Sequence, residues 1–187
     1  MGELNDIEGR FADELKVGVD RVVRYVHDEG FRGMITSGLS ARMVKKYFSL
    51  SWNKFYSGGG MPDFFNFGTN KPNPLYDKKK NDGLSLDERK ALFESYAKDN
   101  FEGLLNLYDE GVLFLDDFVN RGLKADLIVN NLKHYGFENP SFATFIARDE
   151  GAEQRMFVGS VNENCYRVIH NFIRTQRELR RFEEKYC

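Results

Sequence analysis

Val161, Cys165, Val168, Phe172, Thr175, Leu179, Phe182 and Tyr186 recur at alternating steps of four and three. A mean spacing of 3.5 residues sets them on one seam of an α-helix, whereas a strand would scatter them over both its faces. All but Thr175 are apolar, and Ser160 with Glu163 makes a capping box at the start of the repeat. Arg174, Arg177, Arg180 and Arg181 flank the seam beside Glu178, Glu183 and Glu184. Such a helix packs inside its own bundle, or pairs with a partner helix or a second copy. Cys165 and Cys187 would lie on it about 33 Å apart at 1.5 Å per residue, too far to bridge. They are the only 2 cysteines, so a reducing, cytoplasmic compartment is expected.

The rest of the chain offers further helical patterns. Leu4, Ile7, Phe11, Leu15, Val19, Val22 and Val26 form an apolar stripe over residues 3–28, with Gly30 closing the helix. A second helix is expected from about Ser40, on Met43, Val44, Tyr47 and Phe48. Ser85 and Glu88 form a capping box for a helix running towards Gly111. Val112 to Asn120 is apolar with Asp116-Asp117 inside it, and Lys124–Tyr135 repeats at helical spacing. Asn139-Pro140 looks like an N-cap with proline at the first helical position. The spacing of Phe142, Phe145 and Ile146 then predicts a helix over 141–148, its rival being a short β-hairpin near 142–160. The expected class is mostly α, a compact helical bundle making one domain over 1–187.

One stretch breaks the pattern. Residues 57–83 hold Gly58-Gly59-Gly60, three prolines and Lys78-Lys79-Lys80 without periodicity. Such long irregular segments are uncommon in compact domains and are usually functional or disordered. Phe64, Phe65, Phe67 and Tyr76 within it suggest an arm that orders itself on another surface.

Charge is uneven along the chain. Although the whole carries −2, residues 31–80 sum to +7 and residues 81–120 to −7. The basic block also carries ten aromatic residues, and lysines interleaved with rings suit single-stranded nucleic acid. Arg42, Lys45, Lys46, Trp52, Lys54, Phe55, Tyr56 and Lys71 are the candidate contacts. A helix-turn-helix-like stretch at 124–148, turning at Gly136-Phe137, is a second route to nucleic acid.

Catalytic signals are weak. His27, His134 and His170 fall on separate expected helices, and no HExxH, CxxC, GxSxG or P-loop pattern occurs. Asp116-Asp117 could chelate a cation with Asp109 and Glu110, but adjacent acids in such a segment are ordinarily surface residues. No metal or cofactor is therefore expected, and no run approaches the length of a membrane span. The leading expectation is a non-enzymatic binding protein, a subunit or accessory of a larger assembly. It would dock through Phe64, Phe65, Phe67 and Tyr76 of the arm and Phe172, Leu179 and Phe182 of the C-terminal seam. The alternatives are nucleic-acid binding, and an enzyme whose site is assembled from distant residues.

Overall fold

The computed structural model describes residues 2–37, 41–57, 59–67, 74–76, 83–97, 103, 107–119 and 122–162, with the backbone alone for 2–10 and 94–97. Strands and helices alternate along it. Helix α1 (Gly2–Asp28) leads to β1 (Gly33–Ser37), α2 (Ala41–Tyr56) and β2 (Asp63–Phe67). A single 3-10 turn (Pro74–Tyr76) precedes α3 (Leu86–Ala97), β3 (Gly111–Val119), α4 (Leu123–His134) and β4 (Asn139–Ala147). A second 3-10 turn (Glu150–Gln154) then leads to β5 (Phe157–Val161). The strands form one sheet in the order β2-β1-β3-β4-β5, and every neighbouring pair is parallel.

Two apolar layers enclose this sheet. On one face α1 and α2 pack Phe11, Leu15, Val19, Val22, Val44, Phe48 and Trp52 against Met34, Leu113, Leu115 and Phe145. On the other, Phe93, Ile128, Leu132 and Leu75 meet Ile35, Val112, Phe114 and Phe142. Alternate residues of β3 thus serve opposite faces, and both faces are dry. Strands covered on both sides require near-continuous apolar runs.

That requirement corrects the expected class, which is α/β rather than a mostly helical bundle. The apolar stripe of α1 is real, but it lies on a sheet. The stretch 141–148 is the inner part of β4, not a helix, because Phe142 to Ala147 are all buried. Nor is it half of a hairpin, since β4 and β5 run parallel with Ala143 opposite Phe157. The helix-turn-helix-like reading of 124–148 falls with it, as α4 is followed by a strand. Residues 57–83 are likewise not wholly irregular, for they contain β2 and the first 3-10 turn. Ser160 pairs with Ile146 inside β5 rather than capping a helix, and the seam beyond Asn162 lies outside the described residues. The Ser85–Glu88 box is present, with the Glu88 amide donating to Ser85 Oγ at 3.3 Å and the Ser85 amide to Glu88 Oε2 at 2.7 Å.

Gly18, which weakens α1 as a helix former, has a packing role. A Cβ there would be driven into the carbonyl of Phe145, and one at Gly159 into the carbonyl of Gly18. The two glycines let α1 lie directly on β4 and β5. Among the described residues no helix is long and apolar enough to cross a membrane.

Candidate functional site

In an open parallel sheet the chain leaves neighbouring strands in opposite directions at one point, and a crevice opens there beyond their C-terminal ends. Here that point lies between β1 and β3. β1 ends at Ser37, and β3 carries Asp116 and Asp117 near its end. Gly122 then starts α4 from a left-handed conformation, φ 66°, with no side chain capping the helix. Glycine suits this turn twice over. The positive φ is strained for other residues, and a Cβ would press on the Met156 methyl.

These elements bound a cleft of about 540 Å³. Its polar lining is Asp116, Lys124 and Tyr76, and its walls are chiefly Phe118, Val119, Leu123 and Phe142. Asp116 accepts the Asp117 amide at 3.0 Å. Burial holds the Asp116 carboxyl well above the usual aspartate value of 3.8, and the neighbouring Asp117 raises it further, while Lys124 pulls the other way. The Lys124 ammonium stands 5.7 Å from the centre of the Tyr76 ring. Tyr76 is placed from two sides. Its hydroxyl lies 2.6 Å from Ser37 Oγ, and Asn131 Nδ2 donates to the Pro74 and Leu75 carbonyls at 3.2 and 3.0 Å. Burial raises the Tyr76 phenol above its ordinary value, the Ser37 bond lowers it, and the charges of Asp116 and Asp117 raise it again.

The site thus combines acceptors on β3, a cation and an uncapped helix start on α4, and apolar walls. Carboxylates accept from sugar hydroxyls, and a helix N-terminus attracts phosphate. Among the described residues no group of three or more His, Cys, Asp or Glu could hold a metal ion. Asp116 and Asp117 supply two carboxylates, so a cation between them would need oxygens from the ligand itself. Asp109 and Glu110 stand at the opposite end of β3 and cannot join them; Glu110 lies 3.6 Å from Arg32.

The residues singled out from sequence are dispersed. Tyr76 alone of them lines the cleft. Phe65 and Phe67 are buried on the α4 side of the sheet. Phe64 is half-buried against Phe48, their ring centres 5.4 Å apart, with the Lys45 ammonium 5.6 Å from its own. Trp52 is buried and its indole N–H donates to the Gly59 carbonyl at 2.9 Å. Phe55 lies under Arg24 and Lys54, at 4.6 and 5.1 Å, and Tyr56 stacks on His27 at 3.9 Å. Arg42 and Lys46 are exposed on α2. Lys71, Phe172, Leu179 and Phe182 lie outside the described residues. Sequence reasoning passed over Asp116-Asp117 as surface acids. The available signal was their position: two acids closing a four-residue apolar run and followed by a glycine before a helix.

No protein-family model and no curated protein matches the chain. Solved structures do resemble it. A hypoxanthine phosphoribosyltransferase of Trypanosoma cruzi aligns at 12% identity and TM-score 0.47, over 82% of this chain and 76% of that one. A hypoxanthine-guanine-xanthine phosphoribosyltransferase aligns at 12% and 0.46, over 75% and 66%. A hypothetical protein from Neisseria gonorrhoeae, described with bound ppGpp, aligns at 13% and 0.47, over 80% and 79%.

The expectation of a non-enzymatic assembly subunit is therefore corrected. Its arm supplies a strand of the sheet and two core phenylalanines rather than a free docking segment. The arm was one of the two features on which that reading rested; the other, the C-terminal seam beyond Asn162, lies outside the described residues.

Proposed function

We propose that this chain is an enzyme that binds a phosphorylated sugar in the crevice between β1 and β3 and transfers a group at that sugar, phosphoribosyl transfer being the specific reaction. The observation that carries the reading is the Asp116-Asp117 pair at the C-terminal end of β3, next to the uncapped start of α4. The carboxylates suit the hydroxyls of a ribose. Lys124 and the first amides of α4 suit its phosphate. The apolar walls would keep water from the reacting carbon.

The chemistry fits the charge pattern. In phosphoribosyl transfer the bond from C1 of the ribose to diphosphate breaks, a bond from C1 to a base nitrogen forms, and that nitrogen's proton passes to water or the departing diphosphate. Positive charge develops at C1 and the ring oxygen as the leaving group departs, and a carboxylate at the end of β3 would stabilise it electrostatically.

Calorimetric titration with 5-phosphoribosyl diphosphate and with guanosine 5′-monophosphate, each with and without magnesium, tests the binding. Hydrogen bonds to charged groups contribute about 1.5–3 kcal/mol, so Asp117→Asn is expected to weaken binding by about 10- to 100-fold. Lys124→Ala is expected to weaken the phosphorylated ligands and leave free ribose unaffected. A wild-type protein that binds neither ligand, or a D117N variant that binds as the wild type does, overturns the reading. Release of diphosphate when 5-phosphoribosyl diphosphate is mixed with purine bases tests the reaction.

A further inference from the structure

Ser37 ends β1 and Tyr76 ends the first 3-10 turn, and their hydroxyl oxygens lie 2.6 Å apart. The bond joins the sheet to a turn that Asn131 holds by two carbonyls and that Leu75 anchors in the core. Two neutral hydroxyls bring two O–H hydrogens and use one in the bond between them. Neither oxygen makes another hydrogen bond among the described residues. One O–H is therefore left over, whichever way the shared bond runs. Tyr76 lines the crevice, and burial raises its phenol above its ordinary value, so its hydroxyl keeps its proton. The pair therefore adds a neutral O–H donor to a crevice whose other polar lining is Asp116 and Lys124.

We propose that the Ser37–Tyr76 hydroxyl pair is a recognition element of the crevice, donating one hydrogen bond to a phosphoryl oxygen of the ligand while the β3 carboxylates take its sugar hydroxyls. This rests on the reading of the crevice as a phosphorylated-sugar site. It divides the work by strand: β3 reads donors on the ligand and β1 reads an acceptor. It also makes Ser37 and Tyr76 a unit. The mutual bond aims the free O–H at the ligand, so removing either hydroxyl releases the other from that direction and the second removal adds little.

The test is a double-mutant cycle in the full chain, with 5-phosphoribosyl diphosphate titrated into the wild type, Ser37→Ala, Tyr76→Phe and the double variant. Each single variant is expected to lose about tenfold in affinity. The double variant is expected to bind as the weaker single does, within about twofold, and Ser37→Thr, which keeps the hydroxyl, to bind as the wild type. Melting temperatures measured alongside separate a structural tie, which would lower them without changing the Kd of the folded protein. Variants that bind as the wild type while D117N loses affinity overturn the proposal and leave the crevice reading standing. So do losses that multiply in the double variant, since they imply two independent contacts. A wild type that binds no phosphorylated sugar overturns both.

Discussion

Asp116 sits among apolar side chains at the crevice with a second carboxylate beside it, and both features penalise its charge. Its carboxyl therefore holds a proton in the folded chain at pH values where the unfolded chain has released it. Stability falls as pH rises from the usual aspartate value of 3.8 through the raised one, and the penalty is complete above it. Asp116→Asn keeps the shape and removes the titration. We expect D116N to raise the melting temperature at about pH 8, and the gain to shrink with falling pH until it is gone near about pH 4. Thermal melts across that range check it, and a gain independent of pH contradicts it. Such a residue lowers the stability of the empty protein, as sites built for a ligand commonly do. Tyr76 shows the same economy of placement. It is the one residue singled out from sequence that reaches the cleft, and it does so through a bond to Ser37 and the Asn131 contacts on its turn.

Asn131 ties one element to another, since its amide bonds two carbonyls of the 3-10 turn from the last turn of α4. Asn131→Ala removes the donor to both carbonyls, one of the bonds buried, and is expected to cost about 1–3 kcal/mol, read from urea unfolding. The same variant should weaken ligand binding, because Tyr76 is carried on that turn. Between α1 and the sheet the contact is tighter still. Gly18→Ala or Gly159→Ala sets a methyl against backbone carbonyls that cannot rotate away, an overpacking expected to cost about 1–3 kcal/mol or more in the same assay. Elements with one solvated face were legible in the sequence: the stripe of α1, the Ser85–Glu88 box, and α4, expected over Lys124–Tyr135 and found over Leu123–His134. The strands were not. β3 and β4 are buried on both faces, so Val112-Leu113-Phe114-Leu115 and Phe142 to Ala147 carry no alternation, and short apolar runs of this kind fit a helix equally well. β2 hid for another reason. Its five residues, Asp63–Phe67, follow a glycine-rich turn, too short a stretch to stand out. The acids at the crevice were visible as letters, but their burial is a property of the sheet and could not be seen before the sheet was known.

At the scale of the whole molecule, two regions among the described residues could meet a charged ligand. One is the outer face of α2, with Arg42, Lys45 and Lys46 exposed. The other is the crevice at the C-terminal edge of the sheet, where Asp116, Lys124 and Tyr76 line one cleft. The first is a row of exposed cations on one helix. The second has opposite charges, apolar walls and a helix start in one enclosure, the combination that small-molecule sites use. Chemical-shift mapping with 5-phosphoribosyl diphosphate distinguishes them in a single titration of the intact protein. We predict that the perturbed amides gather at Ser37, at Asp116 to Val119 and at Gly122 to Ala125, with α2 unmoved. Shifts that gather instead on Arg42, Lys45 and Lys46, or an unchanged spectrum at saturating ligand, would contradict the account.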